Sequence, residues 1–383
     1  MFENIESIIR DFNTLLDTMI ERDASDLFIT ADLPPSIKVH GQIIPVGDRP
    51  LTPQQSHQLA YNLMDRYQRQ EFDHNLECNF AIAPNEHGRF RVNIFKQKNQ
   101  MGIVLRRIKT EIPSLEELHI PDMLGRLAMA KRGLVIIVGA TGSGKSSTLA
   151  AMIGHRNQHG SGHIITVEDP IEFIHEHQGC IITQREVGVD TLNFEAALQN
   201  TLRQAPDVIL IGEIRNRETM EHAIAFAETG HLVLTTLHAN NANQTMERIL
   251  NFFPKDRRDG VLLDLSLNLN AIVAQQLIPT PDHKGRIVAV EILLNTPLVA
   301  QLIKRGEVSS LKEIMAKSNN LGMHTFDQAL YELYKSGEIS YEDALHHADS
   351  ANELRLMIKL DQKSGFAEDE DSGSFTLMHV DDI

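Results

Sequence analysis

Apolar side chains at Ile5, Ile8, Ile9, Phe12, Leu15, Leu16 and Met19 recur at helical spacing and predict an amphipathic helix over residues 4–20. SDLFIT and SIKVHGQIIPV then predict short strands, the second folding back near His40-Gly41. Thr52 followed by Pro53 puts a capping side chain before a proline at the first helical position, so a helix is expected from there to about Phe72. CNFAIAP, GRFRVNIFKQKN and QMGIVLRRI predict three more strands. In the middle one Phe90, Val92 and Ile94 alternate with Arg89, Arg91 and Asn93, the period of a strand with one buried face. Residues 1–108 therefore predict a small α+β domain. KTEIPSLEELHIPDML, with Pro113 and Pro121, predicts a linker over 109–122.

From residue 123 the pattern changes. Leu134 to Val138 is apolar without polar alternation, as in a strand covered on both faces, and Ser146 to Ile153 follows as a helix. HIITVEDPIE, DVILIGEIR and HLVLTTLHA repeat the apolar strand, separated by helical stretches, and so predict a parallel α/β sheet within a domain over 123–360. GRIVAVEILL (285–294) is a further strand. Beyond it, from about residue 296, the chain reads as helical to about Leu360, ending in SGEISYEDALHHADSANELRLMIKL as two short packed helices. A helix pair of this kind is compatible with DNA reading, but plain packing is its commoner use. Residues 361–383, acidic with Ser and Gly, predict disorder.

Composition narrows the classes. At 383 residues the chain is long enough for two domains, and 42% hydrophobic with 23% charged residues is ordinary for a globular protein. The two cysteines, Cys78 and Cys180, are far apart and form no C-x-x-C, which argues against a disulfide framework or zinc ribbon and fits a reducing cytosol. No apolar run approaches the ~20 residues of a membrane span. Glu3 and Glu6 stand where a signal peptide would carry basic residues, so a cytoplasmic location is expected. The net charge is −16, and the last 23 residues carry seven acidic side chains against Lys363. General nucleic-acid binders are more often basic, so no nucleic-acid partner is expected, although a local basic channel remains compatible with this balance.

The chemistry is concentrated after the first apolar strand. Gly139, Ala140, Thr141, Gly142, Ser143, Gly144, Lys145 and Ser146, followed by Ser147, fit G-x-x-x-x-G-K-[ST] without a gap, between a strand and a helix. Glycines let backbone N–H groups turn inward onto phosphate oxygens, and the helix start adds a positive dipole end. Lys145 reaches the β- and γ-phosphates and the Ser146 hydroxyl is placed to hold Mg²⁺, so a nucleoside triphosphate, ATP, with Mg²⁺ is expected here. Three later strands end in polar side chains: Glu168 and Asp169, Glu213, and His238. Ligands of open α/β sheets sit at the carboxyl ends of strands, so these groups are expected near the phosphate loop. Glu213 suits the metal shell, Glu168 the attacking water and His238 a γ-phosphate sensor. Taken singly, a strand-end carboxylate is as often a turn cap, and a histidine there is often a hydrogen-bonded surface residue.

GATGSGKS, TVEDPIE, ILIGEIRNRET and TGHLVLTTLHANNA resemble the phosphate loop, Asp box, Walker B and His box of the secretion ATPases of type II secretion and type IV pili. The resemblance extends over nearly the whole chain: GRFRVNIF and VLRRI are similar to the family's N-domain arginine segments, and RQAPDVILIGE to its approach to Walker B. It implies an α/β fold with a RecA-like P-loop NTPase core, an N-terminal α+β PAS-like domain and a C-terminal helical segment, assembled as a hexamer. It also implies that Glu168 activates water, that Glu213 serves Mg²⁺ through a water molecule, and that Arg91 and Arg106 are arginine fingers. Arg107 is a rival for Arg106, and solvated strand arginines are the plainer alternative for both.

Assembly and export members of the family are longer and carry a four-cysteine zinc element. This chain has neither, which makes it resemble the short retraction branch, PilT and PilU. Leu298 to Arg305 aligns with the AIRNLIRE-like stretch of PilT members but has Ala300 in place of its arginine, and Asn216 follows Arg215 where an Asp is common in the family. DSANELRLMIKL and the acidic extension resemble the PilU members. The resemblance implies a ring motor hydrolysing ATP to power pilus retraction and twitching motility, peripheral at the inner membrane on a platform protein. The ring is homomeric or mixed with a PilT-like partner, and Ala300 points to dependence on such a partner. Two other classes stay open: a non-catalytic nucleotide-binding modulator of a sister ATPase, and a RecA-like nucleic-acid translocase.

Overall fold

The computed structural model describes residues 5–39, 41–84, 88–108 and 111–369. Its first elements are α1 (Ile5–Glu21), β1 (Asp26–Ile29), β2 (Ser36–Val39), β3 (Gln42–Pro45), α2 (Pro53–Leu63), α3 (Arg66–Asn75), β4 (Glu77–Ile82), β5 (Arg89–Gln97) and β6 (Gln100–Ile108). There follow α4 (Met123–Ala128), β7 (Gly133–Val138), α5 (Lys145–His159), β8 (Gly162–Glu168), β9 (Cys180–Glu186), α6 (Phe194–Thr201) and β10 (Val208–Ile211). Next come α7 (Arg217–Glu228), β11 (Leu232–Leu237), α8 (Ala242–Asn251), α9 (Arg258–Asn268), β12 (Leu269–Pro279) and β13 (Arg286–Leu294). Five helices end the described chain: α10 (Pro297–Arg305), α11 (Leu311–Ala316), α12 (Phe326–Lys335), α13 (Tyr341–His347) and α14 (Ala351–Asp369). Mixed sheets with helices make this an α/β protein, and no described helix is long and apolar enough to cross a membrane.

Two compact units divide these elements, Met1–Pro113 with Asn157–Gly212, and Ser114–Arg156 with Glu213–Ile383. In the first, six antiparallel strands lie in the order β3-β2-β1-β6-β5-β4. The apolar stripe of α1, Phe12, Leu15, Leu16 and Met19, closes a core with Leu27, Phe90, Val92, Ile94, Ile103 and Leu105. Burying alternate side chains of β5 leaves Arg89, Arg91 and Asn93 partly exposed, as its two-residue period predicts. The helix expected from Thr52 to about Phe72 is instead two. Met64 is extended (φ −86°, ψ 136°), and Asp65 opens α3 with a reciprocal cap: its carboxylate accepts the Gln68 N–H, and Gln68 Oε1 accepts the Asp65 N–H, each at 2.8 Å. His40, at the expected β2–β3 turn, lies outside the described residues. The same unit holds a parallel ladder, β10-β8-β9.

In the second unit β7 lies between β11 and β12, parallel to both, and β13 runs antiparallel to β12. The expected all-parallel arrangement therefore has an antiparallel hairpin at one side. β7 and β11 are buried along their whole length, as their unbroken apolar runs require. Residues 361–383, expected to be disordered, begin as helix: α14 continues to Asp369, while 370–383 lie outside the described residues. Asp361 pairs with Lys335 at 3.2 Å, and no proline interrupts 351–369, so the helix propagates past Leu360 despite the cost of Gly365.

Candidate functional site

The phosphate loop joins the buried end of β7 to the first turn of α5, which begins at Lys145 and includes Ser146 and Ser147. Its glycines answer to geometry. Gly142 has φ +80°, and a Cβ on Gly139 (φ +154°) would meet the Gln275 carbonyl oxygen at 2.5 Å. Lys145 Nζ donates to the carbonyl oxygens of Gly139 and Ala140, both at 2.9 Å, which folds the ammonium back over the loop. The start of α5 adds the positive end of its dipole at the same place.

Gln275 on β12 props the loop from beneath: its Nε2 donates to the Ser143 carbonyl oxygen at 2.7 Å. Among the described residues, Ser143 Oγ and Gln275 Oε1 are buried without a hydrogen-bond partner. Orphaned polar atoms in a glycine cradle fit a loop built to close around a polar ligand. A cavity of about 510 Å³ opens beside Gly139–Ser143, walled also by Asn240, Gln276, Arg286, His347 and Asp349, roomy enough for a nucleoside.

Glu213 and His238, predicted from separate strand ends, come together: His238 Nε2 lies 3.1 Å from Glu213 Oε1. Arg215 Nε donates to the other carboxylate oxygen at 2.9 Å. No group of three or more His, Cys, Asp or Glu side chains among the described residues is arranged to hold a metal by itself. The Ser146 hydroxyl and the Glu213 carboxylate are hard oxygen donors of the kind Mg²⁺ takes, which is held by few protein ligands plus substrate phosphates; with both oxygens engaged by His238 and Arg215, Glu213 suits a contact through water.

Glu168 closes β8 in the first unit. Its Oε1 accepts the Thr166 hydroxyl at 2.6 Å and Gln184 Nε2 at 3.2 Å. Burial pushes its carboxyl up to about 7, against the pull of those two hydrogen bonds, with the charges of Glu172 and Glu186 adding to the rise. A carboxylate poised near neutrality is matched to taking a proton from water. Thr166 and Gln184 were absent from the sequence reading. Thr166 was legible as the same-face neighbour two residues before Glu168, whereas Gln184 sits on β9, a strand whose polar half hid it.

Arg91 and Arg106 are direct cross-strand neighbours on β5 and β6 and share a face, whereas Arg107 stands opposite Phe90 on the other. Like charges set opposite each other are unfavourable unless offset. Arg91 Nη2 pairs with the buried Glu186 at 3.0 Å, and Arg106 Nε with the buried Asp26 at 2.8 Å. Arg107 pairs with the exposed Asp23 at 3.2 Å.

Residues 2–336 match the family described as Type II/IV secretion system protein. The chain is 64% identical over 354 residues to the type IV pilus ATPase PilU of Pseudomonas aeruginosa, covering 92% of this chain and 93% of that one. It is 41% identical over 338 residues to the PilT retraction ATPase of the same organism, covering 88% and 98%. The crystal structure of the pilus retraction motor PilT with bound ADP superposes with a TM-score of 0.83 at 40% identity, covering 89% of this chain and 98% of that one.

Proposed function

This chain belongs to the Type II/IV secretion system protein family and is an ATPase, and from that premise we propose that it is a motor powering retraction of type IV pili. The carrying observation is the 64% identity to a pilus ATPase, spread over 92% of the chain. ATP would seat its phosphates on Gly139 to Ser147, with Lys145 leaving the Gly139 and Ala140 carbonyls for the β- and γ-phosphates. Ser146, and Glu213 through water, would hold Mg²⁺, which neutralises phosphate charge when bound. Glu168 takes the proton of the attacking water, and His238, paired with Glu213, senses the γ-phosphate. Arg91 and Arg106 are the arginine fingers; they would exchange Glu186 and Asp26 for transition-state charge.

In this reading residues 1–108 are a PAS-like domain and 123–360 a RecA-like core with its C-terminal helices. The working form is a hexamer, homomeric or mixed with a PilT-like partner, in the cytoplasm on an inner-membrane platform protein. Closure of the arginine-bearing domain on the core couples hydrolysis to motion. Ala300, where PilT members carry an arginine, supports dependence on the partner.

Comparing a gene deletion with a Lys145→Ala allele tests this reading. Surface pili retained with surface motility lost in both is the expected result; loss of pili in both would make the chain an assembly motor instead. A non-catalytic modulator would tolerate Lys145→Ala in cells and hydrolyse no ATP when purified.

A further inference from the structure

Outside the motif residues, polar contacts run from the cavity beside the phosphate loop into the C-terminal helices. Glu291 on β13 is 1% exposed. One of its oxygens accepts the Ala242 N–H at 2.8 Å and the other the Phe326 N–H at 3.4 Å. Those are the first residues of α8 and α12, so a single carboxylate caps both the helix that follows His238 and a helix of the C-terminal group.

A second link runs parallel to it. Lys312 on α11 donates to the buried Asp327 at 3.2 Å and to Asp349 at 3.1 Å. The other oxygen of Asp327 accepts the Ser350 N–H at 3.2 Å, which fixes the turn between α13 and α14. The Asp349 oxygen that takes Lys312 also takes Asn241 Nδ2 at 3.5 Å, and Asn241 caps α8 through the Gln244 N–H at 2.9 Å. Asp349 and His347 both line the cavity beside the phosphate loop, where the His347 ring contacts Gln276 Oε1 at 3.2 Å. Asp349 is therefore where the cavity, the start of α8 and the C-terminal helices meet.

We propose that the 347–350 turn, held by Lys312, is a coupling element that links occupancy of the nucleotide cavity to the C-terminal helices and to the loop carrying His238. The proposal rests on reading that cavity as the nucleotide site. An anion beside Gly139–Ser143 lies near the Asp349 carboxylate and repels it unless Lys312 stays in place, so cavity occupancy and the Lys312–Asp349 contact bias each other. Because Asp349 also holds Asn241, a shift of the turn moves the cap of α8, three residues beyond His238. Asp349 and Lys312 are positioning residues here, acting through Asn241 rather than on the substrate.

Backbone hydrogen exchange across 341–360 of the full chain, with and without a non-hydrolysable ATP analogue, tests this, with Lys312→Met and Lys312→Arg beside the parent. In the parent and in Lys312→Arg the analogue is expected to change exchange in this segment. In Lys312→Met that response should vanish, the analogue should still bind but several-fold more weakly because Asp349 is left unneutralised beside the cavity, and kcat should fall about tenfold. A parent whose 341–360 exchange ignores the bound analogue overturns the proposal, as does a Lys312→Met chain that keeps both the response and kcat. Should Lys312→Met fail to fold, Asp349→Asn takes its place with the same two readouts. A parent that binds no ATP analogue would overturn the nucleotide-site reading itself, a different failure from binding without coupling.

Discussion

At the scale of single residues, two buried carboxyls carry the pH behaviour. Glu168, pushed up to about 7 chiefly by burial, is useful as a base only when ionised. The hydrolysis rate is therefore expected to climb with pH through about 7 and then level off. Glu168→Gln should lower kcat by about 10²-fold or more and remove that rise, while nucleotide affinity, read by a fluorescent analogue, stays near the parent's. Glu291 is also pushed up to about 7, by burial first, against an unfolded value of 4.5. Between those values the folded chain binds more protons than the unfolded one. The stability contributed by Glu291 is thus complete below about 4.5 and is lost as pH rises through about 7. Melting temperatures of Glu291→Gln between about pH 5 and 8 should accordingly vary less with pH than those of the parent; an equal or steeper dependence would contradict the assignment. Both effects depend on burial, and burial was not legible in the motif that flagged Glu168 or in the strand pattern around Glu291.

Among the elements, β12 shows how a strand outside every motif shapes the site. Its Gln275 supports the Ser143 carbonyl, and its backbone sets the close approach that excludes a side chain at Gly139. Leaving a buried carbonyl without its donor costs about 1–3 kcal/mol. Gln275→Ala should therefore weaken nucleotide binding about tenfold, measured by titration, in a chain that still folds. β12 escaped the sequence reading because α9 abuts it without a glycine or proline: VLLDLSLNLNAIVAQQLIP is one apolar stretch in which the change of period has no punctuation. β9 escaped because Thr183, Gln184 and Arg185 interrupt its apolar pattern. The break between α2 and α3 was written in the sequence as Asp65 with Gln68 three residues on, a capping box inside a stretch of otherwise helical periodicity. Where the period was strong and cleanly bounded, as in α1, β5, β7 and β11, pattern alone located the element.

For the molecule as a whole, net charge bears on the choice of partner. At −16 overall, with acidic residues throughout, the chain offers a poor counter-surface for phosphate backbones. Adding single- or double-stranded DNA at low salt is expected to leave the ATPase rate within about twofold of the DNA-free value. Strong stimulation that falls steeply with salt would instead favour a translocase. The pairing of Arg91 with Glu186 and of Arg106 with Asp26 belongs to this scale as well. Both arginines are held inside their own unit by carboxylates buried in it, so using them elsewhere requires those pairs to open. An ion pair with one buried partner does not open without compensation, which is why charge developing on a phosphate is a suitable trigger.

The amino-acid sequence by itself determined the phosphate loop, the order of most strands and helices, the acidic balance and the family, because each of these is a local spelling or a running period. It named Glu213 and His238 from separate strand ends without showing that they touch. Which side chains meet was decided only by the tertiary structure: His238 on Glu213, Gln275 under Ser143, Arg106 rather than Arg107 beside Arg91, and Asp349 against Asn241. Burial was decided there too, and with it the elevated carboxyls of Glu168 and Glu291. The physical reason is that desolvation and long-range contact depend on what other parts of the chain fold over a residue, and no window along the sequence contains them.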